Sequence, residues 1–181
     1  MFRDFSSEIM SYAGGEKINA CMQCGTCTGS CPTSHAMEYT PRKLIALIRA
    51  NQRDKVLQSL SIWKCASCYS CTARCPRGIR FTDIMYILKN LAWKEKHLEE
   101  NKEIAGFYSS FQDLIAKRGR MNEAELVVRY GLKTSPAKLL EFAPLGMKMI
   151  VKGRASIIPP AIKNKEQMQR ILSLAKERGG E

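Results

Sequence analysis

The apolar residues of this chain recur with the spacing of helices rather than strands. In the N-terminal half, two segments place apolar side chains three and four residues apart, which collects them on one face of a helix. Thr40 is suited to cap the first helix, with Pro41 at its first position, and Thr82 is suited to cap the second. The predicted apolar faces are Leu44, Ile45, Leu47 and Ile48 in the first helix, and Ile84, Ile87, Leu88 and Leu91 in the second.

Beyond Lys96 the pattern stays helical, and polar or glycine residues mark the predicted ends. The first of these helices is expected to stop at Gly119. Asn122 and Glu125 resemble a capping box that opens the next helix, which we expect to end at Gly131. The apolar residues at helical spacing in these two segments are Ile104, Phe107, Tyr108, Phe111, Leu114 and Ile115, then Leu126, Val127 and Tyr130.

The remaining C-terminal segment contains more helix breakers. Ser135 and Pro136 favour the start of another helix, which Pro144 and Gly146 are expected to interrupt or kink. Residues 157–160 predict an extended connector, because two prolines follow two isoleucines. A final helix is predicted over about residues 164–178, and its expected inward face is Met168, Ile171, Leu172 and Ala175.

At the other end of the chain, residues 1–20 are predicted to form an arm with a short amphipathic turn before the Gly14-Gly15 pair. The apolar side chains of this turn are Phe2, Phe5, Ile9 and Met10. We expect the arm to pack on the main domain or on a partner protein.

Two cysteine runs precede the two helices of the N-terminal half, and each has the form C-x2-C-x2-C-x3-C-P. The runs are Cys21, Cys24, Cys27 and Cys31 before Pro32, and Cys65, Cys68, Cys71 and Cys75 before Pro76. A 44-residue offset relates them, so this half of the chain is a repeat of one cysteine loop and one following helix. Together the runs contain all eight cysteines of the chain.

This spacing is typical of bacterial ferredoxins with two 4Fe-4S clusters, in which three thiolates bind one cluster and the fourth binds the other. Proline after the fourth cysteine has no amide hydrogen and biases that cysteine away from the helical region, so the chain turns away from the first cluster. We therefore predict two ligand sets. The first set is Cys21, Cys24, Cys27 and Cys75, and the second set is Cys65, Cys68, Cys71 and Cys31.

Zinc sites and disulfides fit these cysteines less well. Zinc sites usually combine paired C-x2-C arms with longer gaps and often histidine. Disulfide frameworks are typical of short secreted chains, and the N-terminus has no apolar core of signal-peptide length. Reduced thiols and oxygen-sensitive clusters favour a cytoplasmic location. No stretch approaches the ~18 apolar residues of a membrane span, so none is expected.

The predicted fold class is mainly α. The segment between the two cysteine runs contains helices, whereas small two-cluster bacterial ferredoxins join their runs through strands and turns. We therefore predict an all-helical two-cluster ferredoxin domain with a C-terminal helical extension. The expected divisions are an arm at residues 1–20, the cluster domain at 21–98, and an extension at 99–181 that packs on the domain and docks partners.

Charge adds one expectation about partners. A formal net charge of +12 over 181 residues would ordinarily suggest nucleic-acid binding. No recognition-helix or RNA-binding motif accompanies this charge, and anionic clusters would offset part of it, so we predict no nucleic-acid partner and a basic face for an acidic protein. Many basic residues lie close to the cysteines in sequence; these are Arg42, Lys43, Lys64, Arg74, Arg77 and Arg80.

Other candidate chemistry is sparse. If every cysteine binds iron, no thiol remains to reduce a disulfide by exchange, and no Gly-rich nucleotide motif is present. No catalytic substrate site is therefore expected on this chain. His35 and His97 are expected to be ordinary structural or surface residues, with cluster tuning as the alternative for His35. Trp63 and Tyr69 are expected to shield a cluster from water.

Several segments narrow the choice of protein family. The cysteine runs also occur in the iron-sulfur subunits of succinate dehydrogenase, fumarate reductase and glycolate oxidase. Together with PRKLIALIRANQRDKVLQSLSIWKCASC, RCPRGIRFTDI and GRMNEAELVVRYGLK, however, they resemble the C subunit of heterodisulfide reductase. The resemblance extends from about residue 18 to the C-terminus.

The resemblance implies an iron-sulfur subunit of an oxidoreductase complex. Such a chain relays electrons through two 4Fe-4S clusters between the flavin-containing A subunit and the disulfide-reducing B subunit, and some such complexes bifurcate electrons to ferredoxin. Two other hypotheses stay open: an iron-sulfur subunit of another flavin-linked dehydrogenase, and a free diffusible ferredoxin. The long extension weighs against a free carrier, which needs only a compact shell around its clusters.

Overall fold

A computed structural model of the chain describes residues 4–97, 102–154 and 162–179. Within these ranges the protein forms helices and no strand, which confirms the mainly α class. Short 3₁₀ helices span Ile18–Ala20 and Ser34–Ala36. The α-helices are α1 (Phe5–Met10), α2 (Thr26–Gly29), α3 (Pro41–Arg49), α4 (Arg53–Leu57), α5 (Ser70–Ala73), α6 (Phe81–Lys94), α7 (Lys102–Arg118), α8 (Glu123–Thr134), α9 (Pro136–Val151) and α10 (Lys165–Gly179).

The chain divides into two compact units, residues 1–100 and 101–181. The first unit contains all eight cysteines and helices α1 to α6, and the second contains α7 to α10. The boundary predicted from the sequence, between residues 98 and 99, lies outside the described residues. The three-part division of the chain therefore stays a prediction.

The core of the first unit forms where α3 and α6 bury their apolar faces. Leu44, Ile48, Ile84 and Leu88 are fully inaccessible to solvent, as the helical spacing predicted. Helix α4 packs on both α3 and α6. Thr40 occupies the N-cap position of α3, with Pro41 opening the helix, so this predicted helix start is confirmed.

The N-terminal segment packs on this core. Phe5 and Ile9 of α1 and Ile18 of the first 3₁₀ helix are buried in the same cluster of apolar side chains as α3 and α6. Arg53 of α4 strengthens the attachment, because its guanidinium donates to Glu8 at 3.0 and 3.1 Å. Of the two options for the predicted arm, packing on the domain is the one observed for residues 5–20, and Phe2 lies outside the described residues.

The predicted start of α6 is wrong by two residues. The helix begins at Phe81 with Arg80 at its N-cap, so Thr82 is the second residue of the helix rather than its cap. The amide of Thr82 donates instead to the hydroxyl of Thr72, at 3.2 Å, and its own side chain is buried. Thr72, which is distant in sequence, thus satisfies the helix amide that a local cap would normally satisfy.

In the second unit, α7 packs on α8 and α10, and α8 packs on α9. Gly119 follows α7 with a φ of +68°, which confirms the predicted stop. Asn122 caps α8 by accepting from the Glu125 amide at 2.9 Å, also as predicted. The predicted end at Gly131 is wrong, because α8 continues to Thr134.

The predictions for α9 and α10 are only partly correct. Ser135 and Pro136 open α9, and the helix runs without interruption through Pro144 and Gly146 to Val151, so the predicted interruption is wrong and the alternative, a kink, stays a prediction. In α10, Met168 and Leu172 are half-buried, whereas Ile171 and Ala175 are exposed, so half of its predicted inward face is wrong. The predicted connector at residues 157–160 lies outside the described residues.

Candidate metal centres

The two cysteine loops have the same backbone conformation. Gln23 and its repeat partner Ser67 both adopt the left-handed region, with φ of +59° and +52°. Gly25 and its partner Tyr69 do so as well, with φ of +83° and +61°. In each loop the two left-handed residues are followed by a four-residue helix, which is α2 in the first loop and α5 in the second. The sequence repeat is therefore a structural repeat, and it bends each loop around a central space.

These loops lie against each other, because α2 packs on α5 while α2 also packs on α3 and α5 on α6. Two cavities open between them. The first cavity has about 390 Å³ of empty space, part of it open solvent, and its cysteines are Cys21, Cys24, Cys27 and Cys75, with Cys71 at the boundary. The second has about 330 Å³, and its cysteines are Cys31, Cys65, Cys68 and Cys71.

The fourth cysteine of each run thus lines the cavity formed by the other run. Cys75 faces the first cavity and Cys31 faces the second, which brings together the members of each predicted ligand set. Cys71 and Phe81 line both cavities and form part of the wall between them. The ligand bonds themselves stay a prediction.

The cavities have the chemistry that two 4Fe-4S clusters require. All eight cysteines are free thiols, so none is committed to a disulfide. Among the described residues, no three His, Cys, Asp or Glu side chains come close enough together to bind a single metal ion. The thiols instead surround two spaces with apolar walls, which include Ile45 and Ile79 in the first and Met37 and Met85 in the second. This donor set fits cubane clusters.

Polar side chains contact several of the sulfurs. Gln23 Nε2 donates to Cys21 Sγ at 3.4 Å. Three hydroxyls stand two residues after a cysteine and lie within 3.4 to 3.5 Å of its sulfur; these pairs are Cys24 with Thr26, Cys31 with Thr33, and Cys68 with Ser70. A fourth hydroxyl, that of Thr82, lies 3.4 Å from Cys71 Sγ. Hydrogen bonds of this kind raise the reduction potential of an iron-sulfur cluster.

The thiols differ in their acidity because their surroundings differ. Hydrogen bonds with Thr26 and Ser70 lower the pKa of the exposed Cys24 and Cys68 thiols, respectively. Burial raises the pKa of Cys27 and Cys71, the third cysteine of each run. The first pair lies at the surface, whereas the second lies deeper between the two loops.

Basic side chains lie close to both cavities. Arg42 and Arg77 line the first cavity, as the sequence suggested. Arg49 donates to the Cys21 carbonyl at 2.8 Å, and Lys89 donates to the Cys65 carbonyl at 3.4 Å. By contrast Arg80 pairs with Asp83 at 2.6 Å. Cys21 and Cys65 are repeat partners, so in each loop a basic side chain donates a hydrogen bond to the backbone carbonyl of the first cysteine.

The aromatic and histidine residues considered for shielding or tuning a cluster lie in different places. Tyr69 lines the second cavity and is 47% exposed, so it covers one side of that cavity only in part. Trp63 is half-buried and packs against the apolar core. His35 is exposed, and His97 pairs with Glu95 at 3.1 Å.

The sequence analysis did not predict the polar residues that form hydrogen bonds with the cysteines. The hydroxyls of Thr26, Thr33 and Ser70 could have been found, because each follows a cysteine by two positions in a repeated C-x-T or C-x-S pattern. Arg49 and Lys89 carry no such signal. Their role depends on how α3 and α6 pack against the loops.

Comparison with known proteins agrees with this geometry. Residues 17–79 match the family model of the 4Fe-4S dicluster domain. The chain is 38% identical over 92 residues to the C subunit of the H(2):CoB-CoM heterodisulfide,ferredoxin reductase of Methanothermobacter thermautotrophicus, an alignment that covers 51% of this chain and 49% of that protein.

Two further relatives are C subunits as well. The iron-sulfur C 2 subunit of the CoB--CoM heterodisulfide reductase of Methanocaldococcus jannaschii is 46% identical over 77 residues, which cover 42% of this chain and 41% of that protein. The C subunit of the ferredoxin:CoB-CoM heterodisulfide reductase of Methanosarcina mazei is 45% identical over 80 residues, which cover 44% and 49%. The chain thus spans about half the length of the curated relatives it matches.

No described helix has both the length and the apolar character needed to cross a membrane. The thiol-lined cavities, the dicluster match and the similar proteins together confirm the resemblance inferred from the sequence. This chain contains a 4Fe-4S dicluster domain for two 4Fe-4S clusters, and it is similar to the C subunits of heterodisulfide reductases.

Proposed function

We propose that this chain is an electron-transfer subunit of a heterodisulfide-reductase-type complex, and that it connects a flavin-containing A subunit with a disulfide-reducing B subunit. The observation that carries the proposal is the pair of adjacent thiol-lined cavities, which share Cys71 and Phe81 in their common wall. The names of the similar proteins support the choice of complex.

The ligand sets proposed for the clusters follow the cavity linings. The first set, Cys21, Cys24, Cys27 and Cys75, binds one cluster, and the second set, Cys65, Cys68, Cys71 and Cys31, binds the other. Each bound 4Fe-4S cluster supplies a centre that accepts and releases one electron. Binding each cluster with residues from both loops holds the two centres at a fixed separation, which an electron relay requires.

The surface positions of the cysteines suit exchange with two partners. Cys24 in the first set and Cys68 in the second are exposed, so each cavity reaches the surface at one thiol. A partner's redox centre can therefore approach either cavity without passing through the other. No cysteine remains outside the two sets, so disulfide chemistry has to take place on another subunit.

We also propose that the second unit contributes to partner docking. Helix α9 has a series of exposed apolar side chains, between 56% and 79% accessible; these are Leu140, Phe142, Leu145, Met147 and Val151. Exposed basic residues lie near its C-terminal end, namely Lys148, Lys152 and Arg154. Exposed apolar patches of this kind mark interaction surfaces in many proteins, and the adjacent charges suit an acidic partner.

The proposal is tested by anaerobic purification of the tagged full-length chain from its native cells. We expect a flavoprotein and a disulfide-reducing subunit to co-purify in stoichiometric amounts and the complex to reduce a disulfide. Elution of the chain alone as a monomer would contradict the proposal and favour a free ferredoxin. Co-purification with a different flavin-linked dehydrogenase would favour the other alternative.

The iron and sulfide content of the same sample provides the control. Two cubanes require about eight irons and eight acid-labile sulfides per chain. A sample with this content but no partners argues against the complex and leaves the cofactor assignment intact. A sample with stoichiometric zinc and no visible absorption band argues against the cofactors themselves.

A further inference from the structure

The two halves of the repeat differ at one helix position beside a cysteine, which is exposed in the first half and buried in the second. Thr28 and Thr72 are repeat partners, and each hydroxyl accepts a hydrogen bond from the second residue of the next long helix. In the first half that residue is Arg42 of α3, at 3.1 Å. In the second half it is Thr82 of α6, at 3.2 Å. Only the second half therefore places a hydroxyl at this position.

This extra hydroxyl continues a chain of hydrogen bonds. Because the Thr72 oxygen accepts from the Thr82 amide, its proton is free for another acceptor, and Thr72 Oγ1 donates to Thr82 Oγ1 at 3.1 Å. The Thr82 oxygen accepts that bond and lies 3.4 Å from Cys71 Sγ. A thiolate bound to iron can only accept, so the remaining proton of Thr82 is directed at the sulfur.

Burial distinguishes Thr82 from the other hydroxyls that contact cysteine sulfurs. Thr82 is 1% exposed, so water does not compete for its proton. Thr26 is exposed, and Thr33 and Ser70 are half-buried. Hydrogen bonds in a dry environment are electrostatically stronger, and a hydroxyl polarised by another donor is strengthened further.

We propose that the Thr82 hydroxyl, polarised by Thr72, donates to the thiolate of Cys71 and raises the reduction potential of the second set's cluster, making the two cluster sites unequal. The inference rests on the ligand sets given under the proposed function. Thr82 is a positioning residue, because it acts on the cluster through Cys71. When one electron arrives, the hydrogen bond stabilises the added negative charge; no covalent bond changes and the proton stays on Thr82 Oγ1.

The location of Cys71 indicates in which direction a difference in reduction potential between the two sites would move an electron. Cys71 lines both cavities, so it lies between the two proposed cluster sites. Stabilising negative charge at the second set favours movement of an electron from the first set toward the second. Cys27, the repeat partner of Cys71, has Arg42 rather than a second threonine at the corresponding helix position.

The test is a redox titration of the full-length protein with both clusters bound, followed by electron paramagnetic resonance. Thr82→Val keeps the shape of the side chain and removes the hydroxyl, whereas Thr82→Ser retains it. We expect Thr82→Val to lower the reduction potential of the second set's cluster only, by up to about 59 mV. This shift corresponds to a tenfold change in the ratio of reduced to oxidised cluster at a fixed solution potential. Thr82→Ser should remain close to the wild-type protein.

The comparison variant is Thr26→Val, which removes an exposed hydroxyl from Cys24 of the first set. We expect it to shift the other cluster, and by less. A Thr82→Val protein with two clusters and unchanged potentials would overturn the inference, and so would an equal shift of both clusters or a shift of the first set's cluster alone. None of these results changes the iron content or the co-purifying partners, which test the proposed function separately.

A second variant tests the same inference if the Thr82→Val protein does not retain both clusters. Thr72→Val leaves the Thr82 hydroxyl in place and removes the donor that polarises it. A lowered potential of the second set's cluster in this variant supports the inference, and an unchanged potential overturns it.

Discussion

At the scale of single residues, Cys75 is the most informative of the predicted ligands. It belongs to the second run in sequence, yet it lines the first cavity with Cys21, Cys24 and Cys27. Proline at position 76 explains the separation, because it prevents Cys75 from continuing the helical turn that ends α5. The side chain therefore turns away from the other cysteines of its own run.

We expect Cys75→Ser to perturb the cluster bound by the first set. Serine oxygen is a poorer ligand for iron than thiolate, so the spectrum and potential of that cluster should change while the other keeps its signal. Electron paramagnetic resonance of the reduced protein measures both. Cys31→Ser is the matched variant and should perturb the opposite cluster. If each variant instead changes the cluster of its own run, each run binds its own cubane and the ligand sets are wrong.

At the scale of helices, glycines in the second unit control how closely neighbouring helices approach. Gly106 lies in α7, and a Cβ atom there would stand 2.7 Å from Thr134 Cγ2 at the end of α8. Such a distance is too short for two carbon atoms, so a larger residue here would force the Thr134 side chain or the two helices to shift. Gly146 lies in α9, and a Cβ atom added there would meet no atom within 4 Å, so it has no such constraint.

We expect Gly146→Ala to stabilise the protein, and Gly106→Ala to leave its stability unchanged or to lower it. Alanine is favoured over glycine inside a helix by about 1 kcal/mol. At Gly146 that gain should appear as a higher free energy of unfolding. At Gly106 the overpacked methyl costs about 1 to 3 kcal/mol, which offsets the gain or exceeds it. Urea unfolding followed by circular dichroism measures both; a more stable Gly106→Ala protein would show that α7 and α8 separate easily.

At the scale of the whole molecule, the two units have different surfaces. The first unit buries a cluster of apolar side chains around α3 and α6, and the thiols of Cys24 and Cys68 are exposed at its surface. In the second unit, α9 leaves large apolar side chains accessible, including Leu140 at 76% and Met147 at 64%. These two residues stand seven positions apart and lie on one side of the helix.

We expect Leu140→Glu combined with Met147→Glu to retain both clusters but to lose the partner subunits. Both side chains are exposed, so their replacement should leave the fold unchanged while two carboxylates disrupt an apolar contact with an acidic partner. Iron content and co-purification after anaerobic affinity capture are the two measurements. Ile171→Glu, at a residue of α10 that is 61% exposed, is the matched control and should keep its partners. Full retention of partners by the double variant would exclude docking through this side of α9.

Much of the cluster domain could be predicted because its determinants are local. Cysteine spacing indicates the type of cofactor, since residues three apart on a tight loop meet adjacent corners of one cubane. The apolar spacing of α3 and α6 predicted their buried faces correctly for the same reason. The local stop signal failed at Gly131, which lies within α8, and a Cβ atom added there would come 3.0 Å from Leu139 Cδ1 of α9.

The sequence by itself therefore determined the helical class, the two clusters and the members of each expected ligand set, since these depend on spacing and on proline. Only the tertiary structure decided what Thr82 does. In the sequence it has the features of a helix cap, but packing of α5 against α6 places Thr72 at its amide and Cys71 at its hydroxyl. A hydrogen bond between residues ten or more positions apart depends on how helices pack, and no local pattern encodes that arrangement.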